Sequence, residues 1–329
     1  MTNVLVTGGA GYIGSNMVHF LMKMQNITVV ILDNLSTGFK DSLHPKVKFY
    51  EGDIQDNALV KSIIKEHNID SVIHFAASIR ADESVIDPYK YYHNNTCNTL
   101  EFLKSCAEMK NNIKHFIFSS TAAVYGNSRP NFAIDELVPC SPISPYGFSK
   151  FMSEQILKDF SSVYGFKYSI LRYFNVAGAD LEEKLGQRSK DSKNLIRISS
   201  DAALNKRPRM IINGNDYPTK DGTCIRDFIH VKDLVTAHWC ALNYLKNGGQ
   251  DEVFNLGYGQ ETTVKEVVSC MKKISGNDFK VEYGPRRDGD IYYSLANCDK
   301  AKKVLNWIPQ FNTLEEICKS SFEWEKLNG

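Results

Sequence analysis

The sequence lacks any apolar run of about 18 residues, the length that a membrane span needs, and it lacks a basic segment followed by a long apolar stretch before its first strand. We therefore expect neither a membrane span nor a signal peptide. The eight cysteines form no C-x-x-C pair and no metal-ligand spacing. This pattern predicts reduced, mostly structural thiols of a cytoplasmic protein, and no bound metal. The net charge is +1, so the composition gives no reason to expect nucleic acid or an anionic membrane as a partner.

The composition is ordinary for a soluble globular enzyme. The 329 residues are 43% hydrophobic and 23% charged, with no internal repeat and no low-complexity segment. A chain of this length can bury a substantial core, and it can hold one large domain or two ordinary ones.

A glycine-rich turn connects the first strand to the first helix. Residues 4–6 form a short apolar strand, residues 7–14 read T-G-G-A-G-Y-I-G, and an amphipathic run follows. Glycines in this context let the backbone approach a pyrophosphate, which then lies on the helix N-terminus. A second buried strand over 28–32 ends at Asp33, 19 residues after Gly14. An acid there bonds the ribose 2′-hydroxyl and repels a 2′-phosphate, which predicts NAD rather than NADP.

Strands and helices continue to alternate along the first half of the chain. Further strands are predicted over 47–50, 71–75, 114–118 and 167–171, and helices over 57–66 and 89–109. This alternation predicts an α/β fold with a doubly wound parallel sheet, in which ligands bind at the carboxyl ends of the strands. Asp53, Ala76 and Thr121 each lie at such an end, as does the glycine turn. We therefore expect these residues to share one site.

Tyr146 and Lys150 stand four residues apart, so they share one face of a helix. Pro142 and Pro145 are nearby and an apolar-periodic run follows, which places Tyr146 near the helix N-terminus. A free tyrosine ionises near pH 10, so a tyrosine base at neutral pH needs a pKa shift of roughly 3 units, about 4 kcal/mol. A lysine ammonium one turn away, a nicotinamide cation and the helix N-terminus would each contribute to that shift.

Together these residues resemble the extended short-chain dehydrogenase/reductase family. The matching motifs are T-G-x-x-G-x-x-G over 7–14, Asp33, G-D-I over 52–54, S-S-T over 119–121 before V-Y-G over 124–126, and Y-x-x-x-K over 146–150. Within that family the chain is similar to the UDP-glucose (UDP-galactose) 4-epimerases. The additional motifs are R-Y-F-N-V-A-G over 172–178, G-N-D-Y-P-T-x-D-G-T over 214–223, R-D-F-I-H-V over 226–231 and R-R-x-G-D over 286–290.

The resemblance implies a role for each matching position. It implies a catalytic triad of Thr121, Tyr146 and Lys150. It implies an NAD site made of Gly8, Gly11, Tyr12, Ile13, Gly14, Asp33, Asn34, Asp53, Ile54, Phe75, Ala76, Ala77, Asn94, Tyr146, Lys150 and Tyr173. It implies a UDP-sugar site made of Thr121, Tyr146, Asn175, Asn194, Leu195, Asn213, Arg226, Arg287, Asp290 and Ser294. Arginine suits a diphosphate because its guanidinium offers bidentate donors. We interpret His230 as structural.

The implied reaction is redox-neutral 4-epimerisation of a UDP-hexose through a 4-keto intermediate with bound NAD. Ionised Tyr146 would take the proton of the sugar 4-hydroxyl, and Thr121 would hydrogen-bond the reacting oxygen. The main alternative is a nucleotide-sugar 4,6-dehydratase, or another NAD-dependent enzyme that modifies nucleotide sugars. Dehydratases of this family carry an Asp-Glu pair after the catalytic threonine, whereas Ala122 and Ala123 follow Thr121 here. An alcohol dehydrogenase would not explain the arginine motifs, and a non-catalytic dinucleotide sensor would not need a complete triad.

Two positions depart from the epimerase pattern. Where many epimerases have F-A-G-L-K, this chain has F-A-A-S-I-R, so Ile79 replaces a lysine associated with the cofactor and Arg80 follows it. Where galactose-pathway epimerases have a bulky tyrosine four residues after the aspartate of R-x-G-D, this chain has Ser294. The smaller side chain predicts room for an N-acetyl group, hence use of UDP-N-acetylglucosamine and UDP-N-acetylgalactosamine as well as the plain hexoses. In the alternative, Tyr292 or Tyr293 fills that space.

Two domains are expected. The NAD-binding Rossmann domain is expected over 1–175, with 228–256 returning to it, and a smaller α/β domain that mainly binds the UDP-sugar over 176–329. The segment 178–194 is rich in Lys, Glu, Asp, Ser and Gly, which predicts a long loop near the substrate.

The resemblance also implies a homodimer. In that family, helices corresponding to 89–109 and 146–163 pair between two subunits as a four-helix bundle, and the apolar content of both segments permits this. The sequence leaves open whether galactose metabolism, lipopolysaccharide, capsule or glycoprotein synthesis is the pathway served.

Overall fold

The computed structural model describes residues 1–109, 112–128, 132–188, 194–286 and 291–328. The chain divides into two compact units, each made of discontinuous segments. The first unit comprises residues 1–126, 139–172 and 235–254, and the second comprises 127–138, 173–234 and 255–329. Within the described ranges, no helix combines the length and the apolar character that a membrane crossing requires.

Strands and helices alternate along the chain. The strands are β1 (Thr2–Thr7), β2 (Ile27–Asp33), β3 (Lys48–Glu51), β4 (Ser71–His74), β5 (His115–Thr121), β6 (Lys167–Tyr173), β7 (Asn175–Ala177), β8 (Met210–Asn213), β9 (Ile225–Arg226), β10 (Phe228–His230), β11 (Glu252–Leu256), β12 (Thr262–Thr263), β13 (Val281–Gly284) and β14 (Tyr293–Ser294). The helices are α1 (Tyr12–Met22), α2 (Asn57–Glu66), α3 (Ala81–Ile86), α4 (Pro88–Tyr91), α5 (Asn98–Glu108), α6 (Pro145–Tyr164), α7 (Leu195–Ala203), α8 (Val231–Lys246), α9 (Val264–Ser275), α10 (Asp299–Val304) and α11 (Leu314–Leu327). Residues 40–42 and 122–125 form 3₁₀ turns, and 92–97 form a π-helical segment.

The first unit is built on a seven-stranded sheet with the strand order β11-β6-β5-β4-β1-β2-β3. Neighbouring strands from β3 to β5 run parallel to each other. From the central β1 the chain goes to β2 on one side, whereas β4 lies on the other side, so the strand order reverses between β1 and β4. Ligands of such sheets bind in the crevice at the carboxyl ends of these two strands, where Thr7 and His74 are paired. The predicted doubly wound α/β fold is confirmed.

The core on one face of this sheet joins strand residues to three helices. Val60 of α2, Phe102 of α5 and Leu157 of α6 pack against strand residues such as Val72 and Phe116, and all five are fully buried. Each side chain of this kind stabilises the fold by about 1.5–3 kcal/mol relative to an exposed position. Because α6 is fixed on the sheet in this way, its N-terminus has a defined position beside β5.

Most of the predicted elements of the first unit are confirmed. The predicted strands over 28–32 and 71–75 are β2 and β4, and the predicted helix over 57–66 is α2. Two predictions need correction. Strand β5 continues through Thr121 instead of ending at residue 118. The segment predicted as one helix over 89–109 is divided by the π-helical turn into α4 and α5.

The second unit contains three smaller sheets. Strands β7 and β10 form one parallel pair, β8 and β13 form another, and β12-β9-β14 form the third sheet. Helices α9 and α11 both begin with a capping box, Thr263 with Glu266 and Thr313 with Glu316. The predicted loop over 178–194 lies partly outside the described residues.

Candidate active site

The N-terminus of α6 places Tyr146 and Lys150 on one face of the helix. The helix has proline at its first position, and the hydroxyl of its N-cap residue, Ser144, accepts the backbone N–H of Gly147 at 3.2 Å. Tyr146 therefore lies in the first turn and Lys150 one turn later, as predicted. Thr121, the last residue of β5, forms a hydrogen bond with the Tyr146 side chain. The structure thus brings the three predicted catalytic residues together.

Burial sets the main pKa shifts of these residues. Burial raises the pKa of Tyr146, and the hydrogen bond with Thr121 lowers it in part. Burial also lowers the pKa of Lys150 to about 7, while the charge of Glu154 acts in the opposite direction. The Lys150 ammonium lies 4.3 Å from the centroid of the Phe118 ring, a cation–π distance. At Tyr146, desolvation therefore outweighs the hydrogen bond from Thr121.

The glycine turn after β1 is shaped by the absence of side chains. Gly8 has a φ of +71°, and a Cβ there would lie 2.7 Å from the backbone nitrogen of Ala76. A Cβ on Gly14 would lie 2.1 Å from the carbonyl oxygen of Gly8. Gly11 is the N-cap residue of α1 and has no side chain to cap the first amides of the helix. This turn fits a dinucleotide, whose pyrophosphate needs close approach to backbone at a helix N-terminus.

Acidic and amide side chains follow strands β2 and β3. The nearly buried Asp33 carboxylate accepts the backbone N–H of Ala10 at 2.9 Å and that of Leu35 at 2.8 Å. Burial raises the pKa of Asp33, and these two hydrogen bonds lower it in part. Asn34 donates its amide N–H to the carboxylate of Asp53 at 2.9 Å. A fixed carboxylate at the end of β2, next to the glycine turn, fits the ribose hydroxyls of NAD.

The remaining predicted cofactor residues lie on neighbouring elements. Tyr12 and Ile13 begin α1, Ile54 is buried after β3, and Asn94 belongs to the π-helical segment. Phe75 and the two alanines Ala76 and Ala77 follow β4, and Tyr173 ends β6.

The loop after β4 is held by the π-helical segment. Asn95 accepts the backbone N–H of Ser78 at 2.7 Å and donates to the carbonyl oxygen of Ser78 at 2.9 Å. It also donates to the hydroxyl of Ser149 on α6 at 3.0 Å. Asn94 donates to the Ser78 hydroxyl at 3.2 Å. The π-helical segment therefore ties this loop to the helix that carries Tyr146.

The position that departs from the epimerase pattern lies on the surface. Ile79 is 66% exposed. The guanidinium of Arg80 pairs with Asp82 at 3.0 Å, and the backbone N–H of Arg80 donates to the Tyr91 hydroxyl at 2.9 Å. The arginine beside Ile79 is therefore engaged within its own segment of the chain.

Three buried residues near the triad were missed by sequence reasoning. Tyr91 lies edge-on to Tyr146 with ring centroids 6.2 Å apart. Glu154 and Arg172 form an ion pair with 2.5 Å between Nη2 and Oε2. Glu154 follows Lys150 by four residues, so helical spacing could have identified it. Tyr91 and Arg172 lie on other elements, and periodicity within one element gives no signal for contacts between elements.

Four predicted substrate residues of the second unit lie at the ends of elements. Asn175 begins β7, Asn213 ends β8, and Leu195 begins α7. Asn194 is the N-cap residue of α7, where its side-chain oxygen accepts a backbone N–H at 3.1 Å. Its amide N–H also donates to the carbonyl oxygen of Val176 at 3.2 Å.

Arg226 and Ser294 are neighbours in the β12-β9-β14 sheet. Ser294 pairs with Arg226 in parallel register, and Thr262 pairs with Arg226 from the opposite strand. Paired residues of adjacent strands project to the same face of a sheet, so the side chains of Ser294 and Arg226 lie side by side. The other two predicted substrate residues, Arg287 and Asp290, lie outside the described residues.

The two tyrosines before Ser294 have other partners. Tyr293 is buried in the core of this small sheet, and its hydroxyl donates to Glu261. Tyr292 stacks on Tyr217 with ring centroids 5.7 Å apart and an interplanar angle of 9°.

His230 has the surroundings of a structural histidine. Its Nδ1 accepts the backbone N–H of Lys232 at 3.1 Å, and its Nε2 lies 3.0 Å from the Ser320 hydroxyl. The ring stacks on Phe311, and burial lowers its pKa to about 4, which keeps it neutral at physiological pH.

Comparison with known proteins gives a family match over most of the chain and relatives that cover nearly all of it. The model of the NAD dependent epimerase/dehydratase family matches residues 4–257. A UDP-glucose 4-epimerase of Azospirillum brasilense is 43% identical over 323 residues, covering 98% of this chain and 92% of that protein. The structure of the UDP-Glc/GlcNAc 4-epimerase from Campylobacter jejuni is similar with a TM-score of 0.86 and 46% identity, covering 99% of this chain and 100% of that one. The UDP-glucose 4-epimerase from Brucella ovis in complex with NAD is similar with a TM-score of 0.93 and 38% identity, covering 98% of each chain.

Proposed function

Because the chain belongs to the NAD dependent epimerase/dehydratase family, we propose that it is a redox-neutral 4-epimerase of UDP-hexoses. It is an isomerase, and NAD is its cofactor. The observation that carries the proposal is the hydrogen bond between Thr121 and Tyr146, with Lys150 buried on the next turn of the same helix. The A. brasilense and B. ovis proteins are UDP-glucose 4-epimerases by name, which supports UDP-glucose and UDP-galactose as substrates.

In the proposed reaction the side chains of the first unit move a proton and fix the reacting oxygen. Tyr146 takes the proton of the sugar 4-hydroxyl and later returns a proton to the same oxygen. Thr121 orients that oxygen through a hydrogen bond, and Lys150 favours the ionised form of Tyr146 through its charge. When bound, NAD supplies reversible hydride transfer at carbon 4, so the sugar passes through a 4-keto form and no external oxidant is consumed.

We propose that the first unit holds NAD and that the second unit holds UDP. The glycine turn, Asp33 and the end of β4 support the first assignment. For the second, Asn175, Asn194 and Arg226 provide amide and guanidinium donors suited to a nucleoside diphosphate. Firm anchoring of UDP leaves the keto sugar free to rotate, so either face can be reduced.

A dehydratase fits the local structure less well. The 3₁₀ turn over 122–125 starts directly after Thr121, and Ala122 and Ala123 present only methyl groups. Elimination of water needs an acid at that place, and the chain has none there.

We further propose that the enzyme accepts UDP-N-acetylglucosamine and UDP-N-acetylgalactosamine. Ser294 lies beside Arg226, and both adjacent tyrosines are engaged elsewhere, so the arrangement supports an open space next to the serine. The C. jejuni protein, named as a UDP-Glc/GlcNAc 4-epimerase, also supports this wider specificity.

The Ser294→Tyr variant tests the wider specificity. We expect kcat/KM for UDP-N-acetylglucosamine to fall by about 100-fold or more, because the ring would occupy the N-acetyl space, while UDP-glucose turnover is largely spared. Ser294→Ala is the matched control and should keep the wild-type ratio of the two activities. Equal loss of both activities, or loss of neither, would contradict the role of Ser294.

The activity itself is tested by epimerisation assays with UDP-glucose and UDP-N-acetylglucosamine, run side by side without added NAD. Turnover of both is expected from an enzyme that retains its cofactor. Turnover of UDP-glucose alone would support the 4-epimerase proposal and contradict the proposed use of UDP-N-acetylglucosamine. If neither turns over even with NAD added, the 4-epimerase proposal is wrong.

We also propose a cytoplasmic homodimer. The structure forms no disulfide among the eight cysteines, all of which lie in described segments, and this supports a reducing compartment. Large apolar side chains are exposed on α3, α4, α5 and the N-terminal half of α6, and among them are Val85, Ile86, Tyr89, Leu100, Phe148 and Met152. We call this set the helical apolar patch, and it supports pairing with a second copy of the chain through these helices.

A further inference from the structure

A fully buried ion pair lies behind the proposed catalytic residues. Glu154 and Arg172 are 0% and 4% exposed, and Arg172 binds both carboxylate oxygens of Glu154, at 3.0 Å and 2.5 Å. The Ser120 hydroxyl donates to Glu154 at 2.5 Å, and Arg172 donates to the Tyr125 hydroxyl at 3.0 Å. Burying two charges is costly, and apolar residues of similar size often stabilise a core as well or better. Stability alone therefore does not account for this pair.

The ion pair holds the chain on both sides of Thr121. Ser120 comes immediately before Thr121, and Tyr125 ends the 3₁₀ turn that starts after it. Glu154 belongs to α6, the helix that carries Tyr146. The pair thus connects the end of β5 to α6 at the place where Thr121 meets Tyr146.

The pair also places charge next to Lys150. Lys150 and Glu154 lie one turn apart on the same face of α6. His74 of β4 also faces Lys150, but burial lowers its pKa to about 3, so it is neutral. Tyr146, on the preceding turn, is neutral unless ionised in catalysis. Of these neighbours, Glu154 carries the negative charge, and Arg172 of β6 balances it.

We propose that the Glu154–Arg172 pair is a positioning device for the proposed epimerase reaction. It fixes Thr121 against α6, and its carboxylate supplies the negative charge that keeps the buried Lys150 an ammonium. Neither residue touches the substrate in this role, since both act through Thr121 and Lys150. The inference rests on the proposed function for its effect on rate, whereas its effect on Lys150 is independent of the substrate.

Two substitutions with opposite charge effects test the proposal. Glu154→Gln leaves the Arg172 cation near Lys150, so Lys150 should lose its proton at lower pH. Arg172→Met leaves Glu154 with Lys150 as its nearby cation, so Lys150 should hold its proton to higher pH. We expect the alkaline limb of the kcat–pH profile to move by roughly 1 pH unit. It should move to lower pH in Glu154→Gln and to higher pH in Arg172→Met. If the pair were purely structural, both variants would have a lower kcat but their alkaline limbs would not move in opposite directions. That result would overturn the proposal.

The double variant Glu154→Gln/Arg172→Met covers the case in which a single variant folds poorly. It leaves neither member of the pair as an unpaired buried charge and should fold more readily than either single variant. Its alkaline limb should lie above that of Glu154→Gln and below that of Arg172→Met. A limb outside that interval would contradict the charge effect.

Direct titration of Lys150 separates this inference from the proposed activity. In protein labelled at lysine Cε with carbon-13, the Lys150 resonance is assigned by its absence in Lys150→Arg, and its shift is followed against pH. The same opposite displacements are expected without any substrate present. If wild-type enzyme shows no epimerase activity but the displacements occur, the proposed function fails and the charge effect stands. If activity is present but both variants titrate like wild type, the charge effect is wrong.

The chain offers a matched control in the second unit. Arg197 and Glu325 form another ion pair at 3.2 Å, with Glu325 nearly buried. Glu325→Gln should lower stability and leave both the kcat–pH profile and the Lys150 titration unchanged. A displacement equal to that of Glu154→Gln would mean that loss of a buried ion pair, and not proximity to Lys150, causes the effect.

Discussion

At the residue scale, the proposed chemistry depends on Tyr146 losing a proton in a setting that opposes its ionisation. Burial raises the pKa of this tyrosine, and the hydrogen bond with Thr121 only partly offsets the effect. Lys150 is the nearby cation, yet burial lowers its own pKa to about 7. The two groups are therefore coupled, because a charged lysine favours the phenolate and a neutral lysine does not. Activity should accordingly decline as the pH rises above the range in which Lys150 holds its proton.

Removing the phenol oxygen tests the role of Tyr146 directly. Tyr146→Phe should lower kcat by roughly 10²- to 10⁴-fold, since general-base catalysis contributes about that much, with little change in KM. Tyr164→Phe, at the exposed C-terminal end of the same helix, is the control and should keep wild-type kcat. Near wild-type activity in Tyr146→Phe would exclude this residue as the base.

Individual site residues could be predicted from the sequence to different degrees. Spacing within one element was enough to place Tyr146 and Lys150 on one face of a helix, because four residues make about one helical turn. The apolar pattern of the second strand likewise placed Asp33 at the end of β2. The pairing of Glu154 with Arg172 could not be predicted, since the two residues lie on different elements and the motif that contains Arg172 gives no sign of its partner.

At the element scale, the π-helical segment is the main difference between expectation and structure. The apolar pattern over 89–109 predicts one continuous helix, and an isolated sequence gives no sign of a π turn. The turn coincides with contacts made by Asn95 and Thr96, which bond to Ser149 on α6. Such segments are frequent at functional sites, and here the turn carries Asn94, a predicted cofactor residue.

Loss of the Asn95 side chain should loosen this part of the site. Asn95→Ala leaves the backbone groups of Ser78 without their partner and removes the hydrogen bond to the Ser149 hydroxyl, so the free energy of unfolding should fall by about 1–3 kcal/mol. NAD retention after gel filtration should also fall, because the loop after β4 loses its support. Asn247→Ala, at an exposed position, should change stability by less than about 0.5 kcal/mol. Urea denaturation measures the free energy of unfolding of both variants. If Asn95→Ala is as stable as Asn247→Ala, the structural role of Asn95 is contradicted.

At the scale of the whole molecule, the sequence was most informative where local pattern and global fold agree. Alternating strands and helices with a glycine turn allow few arrangements other than a doubly wound sheet, and the strand order confirms one. In the second unit the strands have only two to four residues, so periodicity carries little information there. Ser294 pairs with Arg226 because of the register between two such short strands. Both residues were predicted from the resemblance to the epimerases, since no periodic pattern points to them.

The helical apolar patch gives the last prediction, which concerns assembly. Phe148 and Met152 lie one turn apart on α6, the helix that also carries the proposed catalytic tyrosine, and each is 44% exposed. Met152→Glu would place a charge within the proposed interface, so we expect mainly monomers in analytical ultracentrifugation where the wild type is a dimer. Leu137→Glu is the control, since Leu137 is exposed in the second unit, outside the patch, and should leave the dimer intact. A Met152→Glu variant that stays dimeric would place the interface elsewhere, and a monomeric wild type would reject the homodimer itself.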